Sequence, residues 1–338
     1  MSSWKECKLG DIVSSNNKSI DKTYEFKNIQ YLDTGSLTNN KIDGFQEFKI
    51  SDAPSRAKRL VKHQDIVYST VRPIQRHFGF IENPQENLVV STGFSVIETN
   101  QKLAYPKFIY YFLSSDETVE ILDVIAEAST SAYPSLKPSD IENLDISLPP
   151  LEEQKAIAEV LSSLDDKIDL LHRQNQTLES LAQTLFRQWF IEEVKEEWEE
   201  VTLSDVMELK YGKDHKHLND GKIPIYGSGG IMRYGDTAIY ENESILIPRK
   251  GTLSNIFYVD EPFWTVDTIF WSKINSEKIS GKLLFEFLKT LNFSNMNVGS
   301  AVPSLTTKVL NEISFALPSL KEQEEFKQYT DNAWGKVK

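Results

Sequence analysis

The first candidate site is a run of hydrogen-bond donors that follows a short apolar stretch of the chain. Its members are Tyr68, Ser69, Thr70, Arg72, Gln75, Arg76 and His77. Arginine can donate two hydrogen bonds to guanine, glutamine pairs with adenine, and hydroxyl groups reach phosphate oxygens. Side chains of these types after a strand predict a loop that lies in a DNA groove, with Arg72 and Arg76 reaching bases. The alternative is a solvated loop anchored by Tyr68.

Basic residues gather just upstream of that loop. Residues 49–76 carry seven Lys or Arg against two Asp, a local balance of +5. Arg56, Lys58 and Arg59 lie in this stretch, and we expect them to contact phosphates rather than bases. The whole chain has 37 Lys and Arg against 50 Asp and Glu, a net charge of −13, whereas a domain that binds nucleic acid is usually basic. We therefore expect a partner to help hold DNA.

A second candidate site surrounds a glycine-rich turn at residues 227–230. Its members are Tyr226, Ser228, Gly229, Arg233, Tyr234, Arg249 and Lys250. Arg249 and Lys250 follow a predicted strand, as Arg72 does in the first half of the chain. Residues 210–250 hold seven Lys or Arg against five Asp or Glu, a balance of only +2, so the electrostatic signal is weaker here. The simpler interpretation is a tight polar loop.

Motifs for catalysis are missing from the sequence. It has no G-x-x-x-x-G-K-[ST] phosphate loop and no Asn/Asp-Pro-Pro-aromatic run for amino-methyl transfer. His215 and His217 have no cysteine nearby, so a polar loop is predicted there rather than a metal site. The only cysteine, Cys7, is predicted to be a small core residue, and a chain without a disulfide fits a reducing cytoplasm. The expectation is a chain that is not an enzyme and binds no metal or cofactor itself.

The elements that position both sites are duplicated. Residues 131–154 and 300–323 align without a gap and are identical at ten of 24 positions, including Gln154 and Gln323. A second repeat relates WKECKLGDIV at 4–13 to WEEVTLSDVM at 198–207. We call the earlier repeat in each half the opener and the later one the closer. A repeat of this length is a whole domain rather than a solenoid module, and the unlike sequences between opener and closer suit an asymmetric bipartite target.

A long helix follows the first closer. Its apolar positions alternate in steps of three and four, which is the pattern of a coiled-coil seam. The seam positions are Ile157, Leu161, Leu164, Ile168, Leu171, Asn175, Leu178, Leu185 and Trp189, with Phe326 at the place of Ile157 in the second copy. About 40 residues make a helix of roughly 60 Å, which needs a partner helix. We expect the part from Asn175 to Trp189 to lack a partner within the chain, because the second helix ends after about five turns.

These patterns predict an α+β protein. It has two similar globular α/β domains joined by a long coiled-coil helix, with pseudo-twofold symmetry and a truncated second helix. The predicted segments are a first domain at 1–148, the long helix at 149–195, a second domain at 196–316 and the start of the second helix at 317–338. The predicted strands are Ile66–Tyr68, Phe78–Ile81, Leu88–Val90, Phe94–Ile97, Ser244–Ile247, Ile256–Val259 and Asp267–Trp271, and the predicted helices outside the closers are Pro106–Leu113, Asp116–Ala128 and Lys282–Leu291. No apolar stretch approaches the 18–20 residues or so that cross a bilayer, so no membrane contact is expected.

The sequence resembles the DNA-specificity subunits of Type I restriction–modification systems. The similarity rests on the two openers and on four segments: Leu148–Phe190, Asp65–Ile81, Leu88–Ile97 and Ile223–Ile231. The resemblance implies two target-recognition domains, each reading one half of a bipartite site in double-stranded DNA. It implies paired helices that set the spacing and dock methyltransferase subunits. Motor-nuclease subunits would join in the complete restriction enzyme, with S-adenosylmethionine and ATP bound by the partner subunits.

The short second helix departs from the family pattern, because a full-length member usually continues for some tens of residues further. We therefore expect self-association through the long helix, or a truncated subunit that works only as a paired chain. A coiled-coil scaffold that binds only proteins is a competing hypothesis. A stand-alone nuclease or methyltransferase is another, and the missing motifs count against it.

Overall fold

The fold is built from two compact units, Met1–Asp169 and Leu170–Lys338. The computed structural model describes residues 4–129, 134–296 and 304–334, so residues 131–133 and 300–303 of the closers lie outside the described residues. The division between the units falls inside the long helix. Each unit mixes helices with mostly antiparallel strands, which is the α+β class that the sequence predicts.

The strands of the first unit are short. In chain order they are β1 Lys5–Lys8, β2 Val13–Ser15, β3 Asn28–Leu32, β4 Leu37–Thr38, β5 Lys41–Ile42, β6 Gln46–Lys49, β7 Ala57–Leu60, β8 Ile66–Ser69, β9 Phe78–Phe80, β10 Leu88–Ser91, β11 Phe94–Thr99 and β12 Asp145–Leu148. The helices that begin in this unit are α1 Pro106–Ser114, α2 Asp116–Glu127, α3 Pro138–Glu142 and the long α4, Leu151–Arg187, which a π-helical turn extends through Gln188–Glu192. Proline opens α1 and α3, since its fixed φ and missing N–H suit a first helical position.

Two four-stranded sheets form the body of the first unit, in the orders β6-β3-β10-β7 and β2-β11-β8-β9. One apolar core, which includes Leu32, Val67 and Phe94, joins strands of the two sheets. A second core, which includes Tyr68, Ile109 and Leu122, joins the second sheet to the helices. Because successive side chains of a strand point to opposite faces, β8 contributes to both cores, and Val67 and Tyr68 are both buried.

The second unit has the same kind of construction. Its strands are β13 Glu199–Thr202, β14 Met207–Tyr211, β15 Asp220–Gly227, β16 Gly230–Gly235, β17 Ser244–Pro248, β18 Phe257–Val259, β19 Trp264–Thr265, β20 Ile269–Ile274 and β21 Ser314–Leu317. Its helices are α5 Leu203–Val206, α6 Gly281–Lys289, α7 Thr307–Asn311 and α8 Leu320–Trp334. A four-stranded sheet, β14-β20-β17-β18, packs on the helices, and a three-stranded sheet, β16-β15-β19, shares an apolar core with it. One parallel pair occurs in each unit among the described strands, β3 with β10 and β15 with β19.

The strands and helices predicted outside the closers are confirmed at β8, β9, β10, β11, β17, β18, β20, α1, α2 and α6, with shifts at their ends. Other strands were not predicted. Ala57–Leu60 is rich in basic residues, and Asp220–Gly227 contains glycine and proline, so neither has the composition of an ordinary strand. Tertiary pairing rather than local preference makes these segments extended.

The opener and closer of each unit pair through the same contacts. Lys5 pairs with Leu148 and Glu199 pairs with Leu317, so β1–β12 and β13–β21 have matching antiparallel registers. The indole N–H of the opening tryptophan donates to a glutamate in the first turn of the following helix in both units, Trp4 to Glu153 at 3.2 Å and Trp198 to Glu322 at 2.9 Å. We call this paired opener, closer and helix start the frame.

A buried glutamine completes each frame. Gln154 is fully buried, accepts the N–H of Tyr105 at 2.8 Å and donates to the carbonyl of Pro149 at 2.8 Å. Gln323 accepts the N–H of Ser280 at 3.1 Å and donates to the carbonyls of Pro318 and Lys278, both at 3.0 Å. The repeated glutamine therefore satisfies backbone groups at the start of α1 and of α6, which explains why this polar residue occurs twice inside a core.

The seam of the long helix is buried near its ends and exposed in its middle. Ile157 packs on the first core, and Leu185 and Trp189 pack on the second, where Phe326 is also buried. Asn175 and Leu178 are half-buried. The exposed seam residues are Leu161, Leu164, Ile168 and Leu171, with 36–55% of their surface accessible.

The prediction that Asn175–Trp189 lacks a partner within the chain is therefore wrong for the last part of that stretch, where Leu185 and Trp189 pack on the second core. Phe326 lies against Phe190, with ring centroids 5.1 Å apart, while Glu322, one turn earlier in α8, contacts Lys195 and Trp198. Residue numbers rise along α8 as they fall along the first helix, so the start of the second helix meets the end of the first. The prediction placed the uncovered stretch at the end of the long helix, whereas the exposed seam residues lie in its middle.

Three further findings concern the described residues. None of their helices is both long enough and apolar enough to cross a membrane. No three His, Cys, Asp or Glu side chains among them lie close enough to share a metal ion. Cys7 is half-buried in β1, packs against the first core as a small apolar residue would, and has a thiol pKa that burial raises.

Candidate nucleic-acid interface

The first candidate loop leaves β8 and is fixed by backbone hydrogen bonds. Thr70 donates its N–H and its hydroxyl to the carbonyl of Gly93, both at 2.9 Å, and its own carbonyl accepts the N–H of Leu136 at 2.7 Å. The chain then enters a tight 3₁₀ turn, Pro73–Gln75, between Arg72 and Arg76. Both arginines have positive φ, +48° and +57°, a left-handed conformation that ordinary residues rarely adopt. The loop is thus held at both ends in a conformation that its own sequence does not favour.

The structure separates the predicted site residues of this loop into two groups. Arg72 and Gln75 are exposed at the surface, and Thr70 is half-buried beside them. Tyr68 and Ser69 are buried, at 1% and 2% exposure, so the prediction that their side chains touch DNA is wrong. Tyr68 stacks on Phe78, with ring centroids 5.3 Å apart, and its burial raises the pKa of the phenol.

Arg76 and His77 make contacts within the unit. The guanidinium of Arg76 donates to Asp116 at 2.6 Å, and the pair fixes the turn to the start of α2. His77 Nδ1 donates to the carbonyl of Leu37 at 2.6 Å and lies 3.1 Å from the hydroxyl of Thr38. Arg76 must give up an ion pair before it can reach a base, which makes it a weaker candidate for base contact than the sequence indicated.

The basic stretch reaches the same place through a neighbouring turn. Thr92 donates its N–H to the carbonyl of Arg56 at 2.8 Å, and the next residue, Gly93, holds Thr70. Arg56 and Lys58 are exposed, while Arg59 is half-buried in β7 and its Nε is enclosed. The structure therefore brings the backbone of Arg56 close to the strand-end loop, and the predicted phosphate-binding side chains Arg56 and Lys58 are exposed.

The second candidate loop leaves β17 through equivalent bonds. Arg249 donates its N–H to the carbonyl of Thr268 at 2.8 Å and accepts the N–H of Leu305 at 3.0 Å. These bonds match those of Thr70 with Gly93 and Leu136. Leu136 and Leu305 are matched positions of the duplicated closer, so the same part of the frame holds a loop in each unit.

The structure places the second loop against the glycine-rich turn. Gly251 has a φ of +87°, and a Cβ at this position would lie 2.9 Å from the hydroxyl of Ser228. Asn255 Nδ2 donates to the carbonyl of Ser228 at 3.2 Å. Gly229 is exposed beside them, as is Lys250. Two segments separated in the sequence, the glycine-rich turn and the loop that begins at Arg249, therefore form one surface.

Two predicted members of this site have structural roles instead. Arg233 donates to the ring and carbonyl of His215, to the carbonyl of Leu218 and to Asp220, at 2.7–3.2 Å, and so holds the 215–220 loop together. Tyr226 is 9% exposed and packs in a core, and burial raises its pKa. The prediction that Tyr226 contacts DNA is therefore wrong, and Arg233 is a weaker candidate for DNA contact than the sequence indicated. Tyr234 remains 51% exposed on β16.

Some residues of this surface were missed in the sequence. The glycine-rich turn lines a cleft of about 760 Å³ together with Lys216, Asp267 and Thr268. The guanidinium of Arg249 lies over the exposed ring of Tyr211 at 5.3 Å and donates to the carbonyl of Asp267. A basic residue between two histidines was a usable signal for Lys216, whereas Tyr211 and Thr268 join the site only through strand pairing.

Each of the two α+β units has its own frame, and the two frames hold unlike basic loops. The chain belongs to the family described as Type I restriction modification DNA specificity domain, which matches residues 1–180 and 195–330. The Type I restriction enzyme HindI specificity subunit of Haemophilus influenzae is 37% identical over 213 residues, which are 62% of this chain and 46% of that protein. A putative MjaX specificity subunit of Methanocaldococcus jannaschii is 23% identical over 336 residues, covering 89% of this chain and 78% of that protein.

The same fold occurs in a solved structure. The S subunit of a Type I restriction–modification system from M. genitalium covers 99% of this chain and 90% of its own, with a TM-score of 0.62 and 18% identity. The chain spans less than two thirds of two of the curated relatives it matches, 46% of the HindI subunit and 65% of the MjaVIII subunit of M. jannaschii.

Proposed function

We propose that this chain is the DNA sequence-recognition subunit of a Type I restriction–modification complex and that it is not itself catalytic. Each unit would read one half of a bipartite, asymmetric site. The observation that carries the proposal is the pair of loops at Thr70 and Arg249, which equivalent bonds to the frame hold in place although their side chains differ. Two half-sites of different sequence would be recognised by two loops that are held in the same way but carry different side chains. Family membership points the same way.

The contact surface in the first unit would consist of Arg72 and Gln75 over bases, with Arg56 and Lys58 on phosphates. In the second unit it would consist of Lys250, Lys216 and the backbone N–H groups of the glycine-rich turn, with Arg249 oriented by Tyr211. Each unit therefore offers only a few candidate side chains for contact with DNA. A chain with a net charge of −13 would therefore depend on other subunits for much of its affinity.

Those other subunits would be methyltransferase subunits, and motor-nuclease subunits in the full restriction complex. S-adenosylmethionine and ATP would bind to these partners. The exposed apolar positions in the middle of α4, among them Leu164 and Ile168, support a role for this helix in docking as well as in spacing the half-sites. Pairing with a second copy of the chain is the alternative for the same surface.

The test is to co-express the chain with the methyltransferase subunits of its system and to map methylated adenines. We expect one bipartite site. Arg72→Ala with Gln75→Ala should relax recognition in one half only, and Lys216→Ala with Lys250→Ala should relax it in the other. Exposed Lys102 gives a control, Lys102→Ala, which should leave both halves unchanged.

Two results would count against the proposal. Equal weakening of both halves by either double variant would show that the units do not read separately. Unchanged recognition in both variants would favour a scaffold that binds only proteins.

A further inference from the structure

The tip of the first candidate loop carries an exposed aliphatic side chain. Ile74 is the central residue of the turn Pro73–Gln75, and 54% of its surface is accessible. Its neighbours on the exposed side are Arg72 and Gln75, while Pro73 is buried beneath. An exposed isoleucine alone would need no explanation. Ile74 does need an explanation, because it lies between Arg72 and Gln75, two candidate base-contacting residues.

The backbone of this turn is fixed more firmly than an exposed loop requires. The N–H of Ile74 donates to Asp123 of α2 at 3.1 Å, and Arg76 is paired with Asp116 at the start of the same helix. Arg72 donates its N–H to the carbonyl of Pro134 at 3.2 Å. The left-handed conformations of Arg72 and Arg76 cost free energy, and these contacts hold them in place. The result is a rigid turn that presents Ile74 outward.

We propose that Ile74 is a specificity-determining residue that contacts the C5 methyl group of a thymine in the major groove. The inference rests on the proposed function of this loop. Arginine and glutamine read hydrogen-bonding edges, and the thymine methyl is the apolar feature that remains in the major groove, where aliphatic side chains recognise it. A rigid backbone suits such a contact, because an apolar contact has no directional bond to correct a misplaced side chain.

The experiment uses the chain assembled with the methyltransferase subunits of its system and duplexes that contain its mapped site. Each thymine is replaced singly by deoxyuridine, which lacks only the methyl group and keeps every hydrogen-bonding atom. For the unaltered chain, one replacement in the half-site of the first unit should weaken binding about fourfold, the effect of exposing roughly one methyl-sized group. Ile74→Ala should weaken binding to the thymine duplex by at least as much, and should bind thymine and deoxyuridine duplexes equally.

The matched control is Ile121→Ala, which removes an isoleucine from the exposed surface of α2, 46% accessible; two residues from Asp123, it lies on a different face of that helix. It should retain the full preference for thymine over deoxyuridine. The inference fails if no single replacement in that half-site changes binding, if the half-site contains no T·A pair, or if Ile74→Ala keeps the preference of the unaltered chain. If Ile74 inserted between base pairs instead of contacting a methyl group, Ile74→Ala would keep the preference for thymine. A complex that recognises no bipartite site would instead refute the proposed function.

Discussion

The loops after β8 and after β17 begin alike and then diverge. Both leave a buried strand, and in both a backbone N–H bonds to the turn before a paired strand, β11 or β20, while the backbone carbonyl accepts a bond from the closer, at Leu136 or at Leu305. The first then forms a five-residue turn in which two arginines adopt positive φ. The second uses Gly251 and packs at once on the glycine-rich turn. In each unit the closer therefore fixes where the candidate loop begins, while the residues after that point differ between the two units.

The largest expected effect comes from replacing the buried glutamine that occurs at the same place in the frame of each unit. Gln154→Leu should leave the N–H of Tyr105 and the carbonyl of Pro149 buried without partners, and Gln323→Leu should do the same to Ser280, Pro318 and Lys278. Each substitution should lower the free energy of unfolding of its own unit by about 3 kcal/mol. Chemical denaturation followed by hydrogen exchange would measure the loss and assign it to a unit.

The control for this pair is Gln176→Leu on the exposed surface of α4, which should change stability by less than about 0.5 kcal/mol. A large loss from one glutamine and none from the other would show that the two frames are alike in geometry only.

A smaller effect tests a place where the units differ. The sixth residue of α1 is Tyr111, whose hydroxyl donates to Asp165 at 2.8 Å, whereas the sixth residue of α6 is Glu286, only 1% exposed. Burial raises the pKa of Glu286 to about 6, against the attraction of Lys289 at 3.7 Å and with some help from Glu179. A raised carboxyl pKa means that the folded state binds a proton more tightly than the unfolded state. Stability is therefore lost as pH rises from about 4.5 to 6.

Glu286→Gln removes that titration. The difference in free energy of unfolding, variant minus unaltered chain, should rise by roughly 2 kcal/mol when the pH is raised from 4 to 7.5. Denaturation curves at the two pH values give the comparison. Exposed Glu277→Gln should show a much smaller change. A difference that stays constant with pH would mean that Glu286 has the same pKa in the folded unit as in the unfolded chain.

The sequence predicted the frame of each unit better than it predicted the two candidate loops. The duplicated residues predicted the closers, because identity at Leu136 and Leu305 or at Gln154 and Gln323 reports equivalent environments directly. The alternation of apolar positions in steps of three and four predicted the long helix. The roles of single loop residues were harder to predict. Tyr68 looked accessible at a strand end, but β8 is covered on both faces, which no local pattern reveals. Arg233 looked like a free cation, but the carbonyls that bind it come from a loop at 215–220.

The smallest expected effect concerns the second loop itself. Gly251→Ala introduces a Cβ 2.9 Å from the Ser228 hydroxyl at a φ of +87°, and the combined strain should be about 1–2 kcal/mol. Because the strain falls on the contact between the basic loop and the glycine-rich turn, recognition of one half-site should weaken about tenfold while the other half is unaffected. Binding assays with each half-site mutated in turn would show which half responds. Gly44→Ala, at an exposed glycine of the first unit with no atom within 4 Å of the added carbon, should change neither half. If Gly251→Ala left both halves intact, contact between the two segments would not matter for recognition, and the second unit would read through one of them alone.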